Sequence, residues 1–149
     1  MFHVPSLLIM NNRRLSNDDV QLIERARTLV RETKVSGGIV KEVGSALITN
    51  DGRVFTGANL DLWCGIGFCA EHSAIANMIS HSTETQIRTI VAHNGSQILY
   101  PCGRCRELME LIDVRNREYT DVIISETQKV KLKELLPGEW MLRVPAREM

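Results

Sequence analysis

One cysteine pattern constrains this 149-residue chain more than any other feature. Cys69 and Glu71 form a C-x-E triplet, and a later P-C-x-x-C segment supplies Cys102 and Cys105. A structural zinc ion usually takes four protein ligands, whereas a catalytic zinc ion keeps three and leaves a position for water. The pattern therefore predicts that Cys69, Cys102 and Cys105 bind Zn²⁺, with Glu71 beside them to handle the water's proton.

A structural zinc site is the main alternative from the residues alone. Cys64 or His72 could supply a fourth ligand, and the chain would then be a non-catalytic, zinc-stabilised binding protein. A lone C-x-x-C pair would favour that interpretation, whereas the upstream C-x-E triplet and the proline before the pair favour catalysis. Two helix N-termini facing one ion would also stabilise the thiolates, because their partial positive charge favours anions.

Charge and composition exclude several other function classes. The chain has 18 Lys and Arg against 18 Asp and Glu, so no basic field predicts a nucleic acid polymer as partner. Its apolar runs are too short to cross a bilayer, so no membrane partner is expected, and the N-terminus lacks a typical secretory pattern. With three of four cysteines in one metal-like cluster, we expect reduced thiols and a cytoplasmic protein.

The order of predicted elements indicates an α/β fold. Ser16 predicts the N-cap of a helix that ends before Ser36, and Asp51-Gly52 predicts the turn of a hairpin. Further helices are expected from near Cys69 and Cys102, the second burying residues 108, 109, 111 and 112. The remaining predicted elements are hairpin strands at 45–49 and 53–57, strands at 89–93 and 121–125, an edge strand at 129–132 and a short helix at 134–136.

This alternation predicts a three-layer α/β/α arrangement around a mixed sheet of about five strands. We expect residues 1–149 to form a single domain, with 1–15 as a loose N-terminal arm.

The cysteine pattern and the sequence around it resemble those of the cytidine deaminase family. The resemblance extends from Gly44 to Trp140, through the hairpin, a G-x-N-x-D segment ending at Asp61, and E-L-L-P from Glu134. It implies zinc-dependent hydrolytic deamination of a free cytosine nucleoside, cytidine or deoxycytidine, to the uracil nucleoside and ammonia. It further implies a homotetrameric assembly, a catalytic Glu71, and substrate contacts from Asn59, Asp61, Ala70 and Trp140.

The chain departs from the family pattern near the metal. Three thiolates would leave the zinc centre with net negative charge, so a cation is expected nearby. His72 stands where these deaminases commonly carry an arginine after C-A-E, and Arg104 and Arg106 are the nearest cations that could donate to a cysteine sulfur. A solvated helix face is the alternative for the two arginines.

Substrate preference is a second open point. The family's sugar-packing aromatic would fall near Lys41, and Trp63 or Phe68 could replace it. The segment around Arg104 is also similar to that of blasticidin S deaminase, which makes an aminonucleoside antibiotic the alternative substrate. Cys64 is expected to be a buried, inert thiol.

Overall fold

The computed structural model describes residues 13–138, so Trp140 and residues 1–12 lie outside the described part of the chain. Thirteen strands and α-helices follow one another. The strands are β1 (Arg13–Arg14), β2 (Thr33–Val35), β3 (Gly38–Thr49), β4 (Val54–Leu62), β5 (Ile87–His93), β6 (Ile98–Leu99), β7 (Asp121–Ile123) and β8 (Gln128–Lys131). The helices are α1 (Asn17–Thr28), α2 (Ala70–His81), α3 (Gly103–Ile112), α4 (Asn116–Tyr119) and α5 (Leu132–Leu135).

All described strands belong to one mixed sheet with the order β1-β8-β7-β5-β3-β2, with β4 paired to β3 and β6 to β5. The β5–β7 pair is parallel and the other pairs are antiparallel. The α/β class and mixed sheet are confirmed. The described sheet has eight strands rather than about five, because three two- or three-residue strands, β1, β2 and β6, extend it.

Helices cover both faces of the sheet. Successive strand residues point to opposite faces, and the core divides accordingly. Ala46, Val91 and Ile123 pack with α1, whereas their neighbours Leu47, Ile90 and Val122 pack with α2, α3 and α5. The three-layer arrangement predicted from the sequence is therefore present in the described residues.

Helix α2 lies close to the sheet at a glycine. A side chain at Gly57 of β4 would overlap the backbone nitrogen of Ala74 and lie 2.6 Å from the Ser73 Cβ atom. Only a residue without a Cβ atom allows this approach. The contact sets the position of α2, and with it the position of Glu71 one turn earlier.

Several predictions from the sequence are wrong or incomplete. Helix α1 ends at Thr28, before Ser36 as predicted, but the segment between them contains strand β2, which was not predicted and which pairs with the start of β3 through a turn at Ser36-Gly37. Residues 129–132 are not an edge, since β1 pairs with β8 through Arg13 and Lys129. The same pairing shows that Arg13 and Arg14 are not part of a loose arm.

Two smaller differences lie in the second half of the chain. Leu111 is 51% exposed on α3 instead of buried. Helix α4 was not predicted, and it places Asn116 in the core, where its side chain bonds the backbone of Ile87, Thr85 and Met109. Among residues 13–138, no helix is long and apolar enough to cross a membrane.

Candidate metal centre and substrate cavity

The three predicted zinc ligands meet at the N-termini of two helices. Cys69 is the N-cap of α2, Cys102 is the N-cap of α3, and Cys105 lies in the first turn of α3. The Cys69 and Cys102 sulfurs are 3.4 Å apart, the Cys102 and Cys105 sulfurs are 3.6 Å apart, and all three Sγ atoms lie within 4.8 Å of one another. The two helices therefore bring together sulfurs that are distant in sequence.

This donor set fits zinc. Zn–S bonds of about 2.3 Å in tetrahedral geometry place sulfurs roughly 3.8 Å apart, close to the spacing seen here. Within residues 13–138, these three cysteines are the group of His, Cys, Asp or Glu side chains close enough together to hold a metal ion. Cys64 is exposed, contrary to expectation, and neither it nor His72 belongs to that group. Three protein ligands match a site with a position left for water.

The electrostatics of the cluster favour a cation. Burial, followed by the negative charge of Glu71, raises the pKa of Cys105, and burial also raises the pKa of Cys69. Burial acts in the same sense on Cys102, but the Cys105 backbone N–H and the neighbouring thiols outweigh it and lower the pKa of Cys102. Ionising all three thiols together requires a compensating positive charge, which a divalent metal ion supplies.

Glu71 lies in the first turn of α2, beside the sulfurs. Only 5% of the residue is exposed, and burial raises the pKa of its carboxyl group. The Cys105 side chain acts in the opposite sense and lowers the pKa of that carboxyl group, but burial outweighs it. A buried carboxyl group with a raised pKa is suited to accepting and returning a proton near neutral pH.

A cavity of about 430 Å³ opens beside the cluster. The predicted site residues that line it are Asn59, Asp61, Cys69, Ala70, Glu71, Cys102 and Arg104. Sequence reasoning missed Glu42, Val43, Leu99 and Tyr100, which line the same cavity. The sequence signal for Glu42 and Val43 was weak, because they lie in an irregular part of β3 that only its pairing with β4 reveals.

The segment between β4 and α2 folds back onto β4 to form one wall of this cavity. Phe68 and Leu60 exchange two backbone hydrogen bonds of 2.9 and 3.0 Å. A Cβ atom on Gly67 would overlap the Leu60 carbonyl, so glycine permits the close approach. This bridge sets Asn59 and Asp61, on either side of Leu60, near the N-terminus of α2. Phe68 lines the cavity, whereas Trp63 is 72% exposed.

The three residues expected near the metal occupy different surroundings. Arg104 is exposed at the cavity wall. Burial of the His72 ring, together with the positive charge of Arg104, lowers the pKa of His72. The His72 ring packs near Phe68, with 5.7 Å between centroids. Arg106 was expected to donate to a cysteine sulfur, but it donates to the backbone carbonyls of Pro101 and Leu135 at 2.7 and 3.0 Å. The bond to Leu135 ties α3 to α5.

Comparison with known proteins agrees with this site. Residues 16–120 match the family model for the cytidine and deoxycytidylate deaminase zinc-binding region. The chain is 32% identical over 99 residues to a cytidine deaminase of Halalkalibacterium halodurans, covering 65% of this chain and 75% of that protein. A cytidine deaminase of Mycobacterium tuberculosis is 32% identical over a shorter stretch of 68 residues, which covers 45% of this chain and 51% of that protein.

Solved structures show the same fold. The crystal structure of the Mycobacterium tuberculosis cytidine deaminase superposes with a TM-score of 0.70 at 24% identity, covering 84% of this chain and 98% of that one. The Mycobacterium leprae cytidine deaminase gives a TM-score of 0.68 at 26% identity, covering 83% and 100% of the two chains. Together with the family match over residues 16–120, these similarities show that the chain belongs to the cytidine and deoxycytidylate deaminase family, hydrolases that act on C–N bonds of cyclic amidines.

Proposed function

We propose that this protein is a zinc-dependent deaminase of a free cytosine nucleoside, converting cytidine or deoxycytidine and water to the uracil nucleoside and ammonia. The observation that carries the proposal is a buried Glu71 beside three convergent thiols, two of which line the same 430 Å³ cavity as Glu71. That volume is within the range usual for small-molecule sites.

Cys69, Cys102 and Cys105 would hold the zinc ion. When bound, zinc supplies Lewis-acid chemistry that makes a water molecule nucleophilic near neutral pH. Glu71 accepts a proton from the attacking water and gives it to N3 of the ring as the water oxygen attacks C4. The same carboxylate then takes the proton of the new C4 hydroxyl and gives it to the amino group, so the C4–N4 bond breaks, ammonia leaves and the C4 carbonyl of uracil forms. The burial of Glu71 supports this role, because it keeps bulk water away from the proton relay.

The charge of the cavity supports a nucleoside rather than a nucleotide. Glu42 and Asp61 line it beside Asn59, and Arg104 is the cation among its described lining residues. A 5′-phosphate would add two negative charges to a space that already holds carboxylates, which is unfavourable at close range. The same argument disfavours a polynucleotide.

A turnover assay tests the proposal. Loss of cytidine absorbance and release of ammonia are followed with cytidine, deoxycytidine, deoxycytidylate, cytosine and blasticidin S, using Glu71→Gln as the inactive control. We expect the rate of turnover of cytidine or deoxycytidine to be well above that of deoxycytidylate and cytosine. Preferred turnover of blasticidin S would indicate an antibiotic deaminase instead. Zinc binding without turnover of any of the five would indicate a zinc-stabilised binding protein.

Three further properties complete the proposal. We infer a single deaminase domain over residues 1–149 and a cytoplasmic location, the latter from the reduced thiols that zinc binding requires. We also infer a homotetramer in which Trp140 lies near a neighbouring subunit's cavity. Truncation after Pro137 should then weaken nucleoside binding while the zinc content per chain is unchanged, and a monomer by light scattering would contradict the tetramer.

A further inference from the structure

Strand β3 has an irregularity where it pairs with the part of β4 that contains Asn59, and this irregular segment forms part of the cavity wall. The pairing of β3 with β4 joins Val40 to Leu60 and Gly44 to Ala58, so the three residues 41–43 stand against Asn59 alone. Lys41 takes up the extra length with a left-handed backbone, φ 62°. Bulges of this kind redirect side chains. Here the bulge places Glu42 and Val43 on the cavity wall.

The orientation of the Asn59 amide follows from this bulge. The backbone N–H of Val43 donates a 2.8 Å hydrogen bond to one side-chain atom of Asn59, which must therefore be the oxygen Oδ1. The amide nitrogen Nδ2 then lies 3.5 Å from Oε2 of Glu42, at the outer limit of a hydrogen bond. Both groups keep hydrogen-bonding capacity, Asn59 as a donor and Glu42 as an acceptor.

Glu42 has no ion-pair partner among residues 13–138, so its carboxylate has capacity for a ligand. A donor and a charged acceptor side by side match a hydroxyl group, which can accept from one and donate to the other. An ammonium group cannot accept from Asn59, and a phosphate dianion cannot donate to Glu42. The pair therefore distinguishes a sugar hydroxyl from either charged group.

Asp61 is less well placed for this role. It is exposed, and besides the main cavity it lines a second depression with Lys34 and Trp63. Its side chain is one methylene shorter than that of glutamate, whereas Glu42 is half-buried and adjacent to the amide of Asn59.

We propose that Glu42 is a specificity-determining residue, which together with Asn59 binds one hydroxyl of the substrate's sugar in place of Asp61. The inference rests on the proposed deamination of a free nucleoside. It names the substrate class more narrowly, as a cytosine nucleoside with an unmodified hydroxyl at the position that faces Glu42.

The test compares kcat/KM of the wild type, Glu42→Ala, Glu42→Gln and Asp61→Asn on cytidine and its 2′-deoxy, 3′-deoxy and 5′-deoxy analogues. Glu24→Gln, on α1 across the sheet, makes the same charge change away from the cavity and should leave every rate unchanged. Loss of a hydrogen bond to a charged group should lower kcat/KM of Glu42→Ala for cytidine about 10- to 100-fold. The loss should vanish for the one analogue that lacks the bound hydroxyl, be smaller in Glu42→Gln, and be smaller in Asp61→Asn.

A binding measurement separates this inference from the proposed function. Cytidine is titrated calorimetrically into Glu71→Gln and into the Glu71→Gln, Glu42→Ala double variant. The double variant should bind cytidine more weakly than Glu71→Gln by the same factor as the loss in kcat/KM. The two proteins should have equal zinc content and equal thermal midpoints. Turnover of cytidine by the wild type with no loss in Glu42→Ala, or an equal loss for all three analogues, would overturn this inference alone. A larger loss in Asp61→Asn would do the same. Absence of nucleoside turnover by the wild type would overturn the proposed function and this inference with it.

Discussion

The sulfurs of Cys69 and Cys102 lie 3.4 Å apart although 33 residues separate them in the sequence. Each cysteine is the N-cap of a different helix, so the two sulfurs are close because the N-termini of α2 and α3 converge. Helix N-termini carry partial positive charge, which offsets part of the cost of ionising these buried thiols. The proposed zinc centre is therefore a property of two packed helices rather than of either motif alone.

Replacing a ligand should remove the metal and destabilise the fold together. Cys102→Ala leaves two thiols, so we expect zinc to be lost and the thermal midpoint to fall, since metal binding and folding are linked. Cys64→Ser is the matched control, because Cys64 is exposed and lies outside the cysteine group. Metal content by mass spectrometry and thermal melting of both variants check this. Full zinc content in Cys102→Ala would contradict the assignment.

Replacing Glu71 should stop the reaction without removing the metal. Glu71→Gln keeps the size of the side chain and removes the carboxylate, so turnover should fall by at least ~10²–10⁴-fold, the usual effect of one acid–base group. Zinc content and thermal midpoint should stay near those of the wild type. If the variant lost zinc as readily as Cys102→Ala, Glu71 would be a ligand; near-normal turnover would end the proposed mechanism.

A side chain at Gly57 should disturb the site from a distance. The Cβ atom in Gly57→Ala overlaps the backbone of α2 at Ala74, so the helix must move. We expect a loss of about 1–3 kcal/mol in unfolding free energy, as for other overpacked sites, and a lower kcat, because Glu71 and Cys69 move with the helix. Gly37→Ala is the control, since the nearest atom to its Cβ, in Trp63, is 3.9 Å away. Equal unfolding midpoints in denaturant for the two variants would contradict this account of α2.

The Asp113 carboxylate should make stability depend on pH in the acid range. Hydrogen bonds from Arg115, at 2.6 Å, and from Thr85, at 2.8 Å, hold its pKa at about 2, below the usual 3.8. A depressed pKa contributes stability that is present above pH 3.8 and is lost as the pH falls towards 2. Asp113→Asn should therefore melt lower than the wild type at pH 7, and the difference should narrow below about pH 4.

Thermal melts of both proteins from pH 7 to pH 2.5 measure this difference, and comparing the two at each pH cancels effects that they share. A difference that stayed constant throughout the range would show that the ionised carboxylate is not its source.

Local residue patterns were sufficient to predict the family and the outline of the site. C-x-E and P-C-x-x-C predicted three candidate metal ligands and a carboxylate beside them, because this pattern is local and its spacing fits helix starts. Ser16 is the predicted N-cap, where it forms a capping box with Asp19, and Asp51-Gly52 lies in the connection between β3 and β4. These features depend on neighbours within a few residues, which is the range over which residue patterns are informative.

Features that depend on contacts between distant segments became visible only in the folded chain. The pairing of Arg13 with Lys129 turned an expected edge into an interior strand, and Asn116 entered the core because three separate backbone segments present groups for it to bond. The position of Glu42 required the register of β3 against β4, which leaves three residues opposite Asn59. Such a register is set by pairing and packing between distant segments, so it cannot be predicted from a local pattern of residues.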